Sequence, residues 1–225
     1  IGAQGLLLQY FDNATVANEA AALTVKFPFN FRVEEQTFTA TPSLTGYFVN
    51  RVGQENFLGT GTMFSGIDNR PRTPLNFLGV TQFNLGAAGG KVEFEEAILD
   101  ITGSNATYAD PRLDNQWRTD LLTSAIDNSL ASATQWAVAN APADAQLSPV
   151  LVTKDVAVGK TNTLTFDSAG RAALSDHVRT SGKATFRIGA TPLFPVGMHI
   201  FGWQGATGAN TKPPTLHALT VTQLP

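Results

Sequence analysis

Cysteine is absent from the 225 residues of this chain. Its absence excludes disulfide bonds, thiolate metal sites and cysteine nucleophiles, so a secreted protein of this sequence must be held by its core alone. Charged residues are also few: they make up 15% of the chain, with a net charge of −3. Because basic clusters are missing, nucleic acid and anionic membranes are poor partners. No apolar run approaches the ~20 residues that a bilayer-crossing helix requires, so we expect no membrane span.

Residue patterns that carry catalysis or bind cofactors are missing as well. The three histidines form neither an H-x-H nor an H-E-x-x-H unit, which argues against zinc. The adjacent carboxylates Glu34-Glu35 and Glu95-Glu96 would point to opposite faces of a strand and could not act as pairs. The sequence therefore predicts a protein that is not an enzyme and that needs no cofactor for chemistry.

One metal site stays open at this point. Asp110 and Asp114 flank a Pro-Arg pair in a loop, where carboxylate oxygens could bind a structural calcium ion. No EF-hand spacing surrounds them, and an ordinary salt-bridged loop explains the same residues. Calcium is therefore the only metal that the pattern leaves open, and only in a structural role.

Residues 25–33 carry the clearest structural pattern, VKFPFNFRV. Large apolar residues occupy the odd positions and polar residues most of the even ones, and only a half-buried β-strand sorts such a series onto two faces. Pro28 cannot donate a ladder hydrogen bond, so this strand should lie at a sheet edge or contain a bulge. The side chains expected to lie together in the core are those of Val25, Phe27, Phe29, Phe31 and Val33.

Similar alternations recur at residues 36–40, 45–52, 77–85, 92–101, 161–166, 183–188, 198–203 and 216–222. At Glu95-Glu96 the apolar phase slips, as a β-bulge would cause. Two helices are predicted, one within residues 119–139 and one over 168–178 with Asp167 or Ser168 as its N-cap. The sequence predicts an all-β protein, a jelly-roll-like antiparallel β-sandwich with one or two short packed helices, in a single domain spanning residues 1–225.

The first eleven residues contain a short apolar run with two interpretations. Residues 1–11 form either a first core strand or an extended arm that pairs with the open edge of a neighbouring molecule. The side chains that would make this contact are those of Leu6, Leu7, Leu8, Tyr10 and Phe11. The chain begins at Ile1 rather than Met, and its composition resembles that of exported bacterial proteins. We therefore expect it outside the cell or at the cell surface, after removal of a signal peptide.

The C-terminal third follows a recognisable order. A strand ends at Phe166-Asp167, a short helix and another strand follow, and a Pro-Pro pair opens the last strand at residues 215–222. This order resembles the C-terminal half of the DNRLRE-type, disaggregatase-linked carbohydrate-binding modules, and residues 80–85 with 96–101 resemble an earlier strand pair of that family. The resemblance implies a jelly-roll-like β-sandwich and binding of an extracellular polysaccharide. The chain end, LTVTQLP, is similar to the segment before a PEP-type bacterial sorting tail.

Carbohydrate modules stack sugar rings on exposed aromatic side chains, and tryptophan is the candidate for that role here. Trp203 lies in a glycine-rich loop with Gln204 and Asn210 as polar neighbours, and Trp117 also lies beside a loop. We therefore predict a carbohydrate site at Trp203, Gln204, Asn210 and Trp117. The alternative is that each tryptophan packs beneath a loop as part of the core.

Two functions follow from these patterns. The first is a non-enzymatic extracellular structural protein that associates with copies of itself, as a surface filament, layer or matrix subunit, through sandwich edges and the apolar N-terminal strand. The second is a carbohydrate-binding module. The first is favoured, because the family resemblance concerns the shape of the fold more than its ligand.

Overall fold

Antiparallel β-strands make up most of the structure, a computed structural model in which residues 30–51, 53–88, 92–106, 109, 115–191, 197–208 and 212–224 are described. The predicted all-β, sandwich-like fold is confirmed. In these residues two α-helices accompany the strands, α1 (Ser132–Ala139) and α2 (Ser168–Ser181). Within the described residues the strands are β1 (Asn30–Thr39), β2 (Gly46–Val49), β3 (Glu55–Leu58), β4 (Thr62–Asp68), β5 (Leu75–Asn84), β6 (Val92–Asn105), β7 (Gln116–Leu122), β8 (Ala143–Gln146), β9 (Leu151–Val152), β10 (Thr161–Thr165), β11 (Lys183–Thr191), β12 (Met198–Gln204) and β13 (Thr215–Leu224).

The strands form two sheets that are joined through the long strand β6. One sheet has the order β1-β13-β6-β10, and the other runs β12-β4-β5-β11-β7-β8, with β2, β3 and β9 attached to it. The far end of β6 pairs with β12, with Gly103 opposite Trp203. One continuous strand therefore carries hydrogen bonds to both layers. Among the described helices, none is long and apolar enough to cross a bilayer.

The predicted bulge in β6 is confirmed. Glu96 pairs with Leu219, but Phe94 pairs with Thr220, so Glu95 is the extra residue that has no partner in β13. The inserted residue resets the alternation, because both Phe94 before it and Ala97 after it are buried. Apolar side chains on both sides of the bulge thus enter the same core.

Side chains from both sheets meet in one large core, and a smaller core lies under helix α1. The large core includes Phe83, Leu99 and Phe186, all fully buried. In the smaller one, Phe48 and Val80 pack with Ala139 of the helix. Helix α1 thus covers part of the sheet face that points away from the large core.

Helix α2 begins and ends where its capping residues predict. The Asp167 side chain accepts a hydrogen bond from the Gly170 N–H at 2.7 Å, and Gly182 ends the helix with φ +65°, a conformation that glycine adopts without strain. The predicted helix over 168–178 is therefore confirmed and extends three residues further. The second predicted helix is wrong over its first half: residues 116–122 form β7, and α1 starts only at Ser132. In β7, Trp117, Thr119 and Leu121 alternate with Gln116, Arg118 and Asp120. This period-two pattern is typical of a strand, but the spacing of leucines further along the chain favoured a helix instead.

The predicted phase of the first strand is wrong. Among the described strands β1 lies at the end of its sheet, but Phe31 and Val33 are 46% and 40% exposed. Phe38 and Ala40 are buried in the core instead, so the even-numbered face of β1 is its inner face. Residues 25–29 lie outside the described part of the chain.

Gly66 provides a test of how closely β4 and β12 pack. It has φ +149°, and a Cβ built on it would lie 2.0 Å from the His199 carbonyl oxygen. We expect Gly66→Ala to lower the free energy of unfolding by at least about 3 kcal/mol, the severe end of single substitutions. Urea unfolding followed by tryptophan fluorescence measures this loss.

The matched control is Gly159→Ala, because Gly159 has φ +78° but no atom within 4 Å of its added Cβ. Backbone strain alone should cost about 1–2 kcal/mol there. Equal losses for the two variants would contradict the close contact at Gly66.

Candidate functional site

Within the described residues, strand β1 has a paired strand on one side only, over residues 33–39. Among the described residues it pairs only with β13, in an antiparallel register that runs from Asn30 opposite Leu224 to Thr39 opposite Thr215. At the end of this ladder the Ala40 N–H donates to the Pro214 carbonyl oxygen at 3.0 Å. Because alternate residues of an antiparallel strand turn to the same neighbour, even-numbered residues bond to β13 and odd-numbered ones direct their N–H and C=O away from it.

The other edges of the two sheets offer less backbone. Strand β10, at the far side of the same sheet, exchanges two hydrogen bonds with Ser148: the Ser148 N–H donates to Thr165 at 3.0 Å, and the Thr165 N–H donates back at 2.6 Å. Strand β8, at the end of the second sheet, has only four residues and follows Pro142. Short or covered edges are how proteins prevent unwanted strand pairing. Within the described chain, β1 therefore presents the longest edge of this kind.

An apolar patch accompanies this open edge on the outer face of the sheet. Val33 lies opposite Val221 in the ladder, and Leu219 lies opposite Glu35. We define the outer patch as the two exposed side chains on β1 and three half-buried ones beside them, namely Phe31, Val33, Ile98, Leu219 and Val221. Its apolar side chains stay in contact with water, which favours covering them by another surface.

Charged side chains lie on the opposite face of the same stretch of β1. The Arg32 guanidinium donates to Glu34 Oε2 at 2.6 Å, and both side chains are accessible to solvent. The hydrogen bond from Arg32 lowers the pKa of the Glu34 carboxyl below its ordinary value, so this residue is negatively charged at neutral pH. Arg32 and Glu34 thus place one charge of each sign on either side of Val33.

The predicted tryptophan site is wrong. Trp117 and Trp203 are both 0% exposed, so neither can stack against a sugar. Trp203 Nε1 donates to the Ser65 hydroxyl at 2.8 Å, Trp117 Nε1 donates to the Ser65 carbonyl oxygen at 3.2 Å, and Phe201 packs edge-on against both indoles. One buried serine therefore satisfies both indole N–H groups, which is what lets two tryptophans enter the core. The sequence neighbours of both tryptophans are typical of loops and did not indicate this burial.

The remaining predicted residues give no second site. Gln204, at the end of β12, accepts a hydrogen bond from the Lys212 N–H, and Asn210 lies outside the described residues. The same holds for Leu6, Leu7, Leu8, Tyr10 and Phe11 and for the calcium candidates Asp110 and Asp114. In the part of the chain that is described, no three carboxylate or imidazole side chains lie close enough to share a metal ion.

Sequence reasoning missed an aromatic cluster on strands β2 to β5. Tyr47 stacks on Phe57, with ring centroids 4.7 Å apart, and contacts Phe64 edge-on at 5.2 Å and Phe77 at 6.3 Å. All four side chains are half-buried. Burial, and then the charge of Glu55, raise the pKa of the Tyr47 hydroxyl, so it stays protonated and can donate a hydrogen bond. One aromatic residue in each of four successive strands was the available signal.

A buried ion pair was also missed. The Arg187 guanidinium donates to Asp120 Oδ2 at 2.5 Å and to the carbonyl oxygens of Ala139 and Ala141 at 3.0 and 2.9 Å. The pair lines an open cleft of about 430 Å³ together with Arg118. Arg187 lies on β11 and its hydrogen bonds reach β7 and the end of α1. These contacts give it a structural role, because they hold the three elements together.

No protein-family model matches the chain, and no curated protein matches it either. The resemblance to the DNRLRE-type modules therefore stays a prediction. Among the described residues, the edge of β1 over residues 33–39 and the aromatic cluster are two surfaces that a partner could contact.

The shared serine gives a testable consequence. Ser65→Ala removes the acceptor of Trp203 Nε1 and leaves a buried N–H without a hydrogen bond, which should lower the free energy of unfolding by about 1–3 kcal/mol. In a Trp203→Phe background the same change should cost much less, because no indole N–H remains to be satisfied. Urea unfolding of the four proteins measures the coupling, and strictly additive losses would contradict the assignment.

Proposed function

We propose that this chain is a non-enzymatic extracellular structural protein that associates with copies of itself into a surface filament, layer or matrix. Assembly uses sheet edges, of which β1 is the main one, and the apolar N-terminal strand with Leu6 to Phe11. The observation that carries this proposal is the edge of β1 over residues 33–39, which among the described strands pairs with β13 alone and carries the exposed side chain of Val33.

Edge pairing supplies the physical driving force. A strand added to β1 would gain main-chain hydrogen bonds at Val33 and the odd-numbered residues that follow it, and would bury Val33 of the outer patch. Full burial of a valine or phenylalanine side chain contributes about 1.5–3 kcal/mol relative to exposure. Edge strands usually carry a Pro, a bulge or charged side chains, Lys above all, that prevent such pairing. Residues 30–39 contain neither Pro nor Lys and their register with β13 is continuous, and their charged side chains are those of Arg32, Glu34 and Glu35.

Light scattering coupled to size-exclusion chromatography tests self-association of the full chain over a wide concentration range. The wild-type protein should form concentration-dependent oligomers. Val33→Lys places a charge on the outer patch and should weaken association at least tenfold, the equivalent of about 1.4 kcal/mol. Deletion of residues 1–11 should weaken it as well.

Val158→Lys is the matched control, since Val158 is 61% exposed but lies away from β1, beside Gly103. This variant should assemble like the wild type. A strictly monomeric wild-type chain at the highest concentration reached would contradict the proposed function.

The aromatic cluster favours a second candidate function, recognition of an extracellular polysaccharide. Flat, apolar rings at a partly open surface suit the C–H faces of sugars, and the Tyr47 hydroxyl adds a hydrogen-bond donor beside them. In this alternative the buried tryptophans have no role in binding.

Calorimetric titration with polyuronates and neutral polysaccharides tests the alternative. Tyr47→Leu keeps apolar bulk but removes the ring, and it should lower affinity at least tenfold for any polysaccharide that the wild type binds. Phe31→Ala, which removes an exposed ring outside the cluster, should leave affinity unchanged. If no polysaccharide binds, or if both variants bind like the wild type, the alternative is wrong.

A further inference from the structure

We propose that the open cleft between β7, β11 and the end of α1 binds a small organic carboxylate, whose charged group is held by Arg118. We call it the arginine cleft and define it by four strand residues in its lining, Arg118, Asp120, Arg187 and Gly189. Its volume is about 430 Å³. The cleft belongs to the second sheet, whereas β1 belongs to the first, so ligand binding there is independent of self-association.

Strand register brings the four defining residues together. In the antiparallel ladder between β7 and β11, Arg118 lies opposite Gly189 and Asp120 lies opposite Arg187. Directly opposite residues of an antiparallel pair share a face, and residues two apart along a strand do so as well. The four positions therefore form a rectangle on the outer face of the sheet, while Trp117 between them points into the core.

The charges in the arginine cleft are unequal. Asp120 Oδ1 accepts a hydrogen bond from Arg118 Nε at 3.0 Å, and Asp120 Oδ2 accepts one from Arg187 Nη2 at 2.5 Å. These three are the charged side chains in the lining, so two positive charges face one negative charge. The surplus of one positive charge attracts an anion, and a single carboxylate would balance it.

Arg187 positions the other groups and has little left to offer a ligand. Its side chain is only 10% exposed. Besides Asp120, it donates from Nη1 to the carbonyl oxygens of Ala139 and Ala141 at 3.0 and 2.9 Å. A buried guanidinium with these partners fixes the carboxylate of Asp120 in place. We therefore assign Arg187 a positioning role.

Arg118 has the donors that a ligand needs. Its side chain is 47% exposed, and its Nε is held by Asp120. Its two terminal nitrogens, Nη1 and Nη2, donate to no side chain or carbonyl group of the described residues. Together they form a planar fork that matches the two oxygens of a carboxylate. Because Asp120 already orients the guanidinium, less conformational entropy is lost when a ligand binds.

Open space lies beside the Arg118 fork. Gly189 faces Arg118 across the ladder, and a Cβ built on it would meet, apart from its chain neighbours, only Leu78 Cδ2 at 3.8 Å. Leu78, Pro142 and Ala190 add apolar surface to the lining. This surface favours a carboxylate with a compact apolar body over a bare inorganic anion, since burial of that body adds to the charge interaction.

Titration calorimetry of the full chain with sodium benzoate tests the proposal. The wild type should bind one benzoate with a dissociation constant of about 1 mM or lower. Benzamide has a similar shape but no charge and should bind at least tenfold more weakly, as should inorganic phosphate, which lacks the apolar body. Failure of benzoate to bind, or equal binding of the three probes, would overturn the proposal.

Three variants identify the binding group. Arg118→Gln should weaken benzoate binding at least tenfold, whereas Arg118→Lys, which keeps the charge but loses the fork, should weaken it severalfold. Arg51→Gln is the matched control, because Arg51 is also exposed and paired with a carboxylate, that of Glu55, but lies outside the cleft. It should bind benzoate like the wild type. If R118Q binds as the wild type does, or if R51Q loses binding equally, the role of Arg118 is refuted.

Gly189→Leu tests the place of binding without changing any charge. The added side chain should occupy the open space beside the Arg118 fork and weaken benzoate binding at least tenfold. Because the added Cβ meets no atom closer than ordinary contact, the urea unfolding midpoint should stay close to that of the wild type. A folded G189L protein that binds benzoate normally would place the site elsewhere and overturn the proposal.

Discussion

An extended strand has hydrogen-bonding groups on two sides, and the structure depends on how each strand satisfies both. Strand β6 does so most fully: it bonds β13 on one side, β10 on the other, and β12 beyond Ile101. Because one strand serves both sheets, the two layers are held in a defined relation and enclose the large core. Among the described strands that pair with a single neighbour, β1 is the longest, and its neighbour is β13.

The alternation of apolar residues identified strands well but did not always identify their inner face. Around Glu95 the slip in phase correctly predicted a bulge, because the segments on both sides of it contribute apolar side chains to the same core. In β1 the same reasoning chose the wrong face. Phe38 and Ala40 lie on the even-numbered face and are buried, whereas Phe31 and Val33 lie on the odd-numbered face and are exposed. An alternating sequence shows that a strand has two different faces, but which face is buried depends on what packs against it.

The candidate site could be predicted only in part. Pro28 and the alternation around it predicted an edge strand, and among the described strands β1 pairs with β13 alone. The tryptophans could not be placed from sequence, because their burial depends on Ser65, which is distant in the chain and brought to them by the pairing of β4 with β12. The aromatic cluster was missed for the same reason: Tyr47 and Phe77 become neighbours only once β2 lies beside β5. Tertiary contacts of this kind leave no local pattern.

The ladder between β1 and β13 has a mechanical consequence. Asn30 pairs with Leu224, so the first and the last described strands enter this ladder from the same end. Tension applied through those two points would load the hydrogen bonds one after another and peel the strands apart like a zipper. A pull along the strand direction from opposite ends would instead load all of them together in shear. An assembly that has to resist stretching would therefore transmit force through its lateral contacts rather than through these two strand ends.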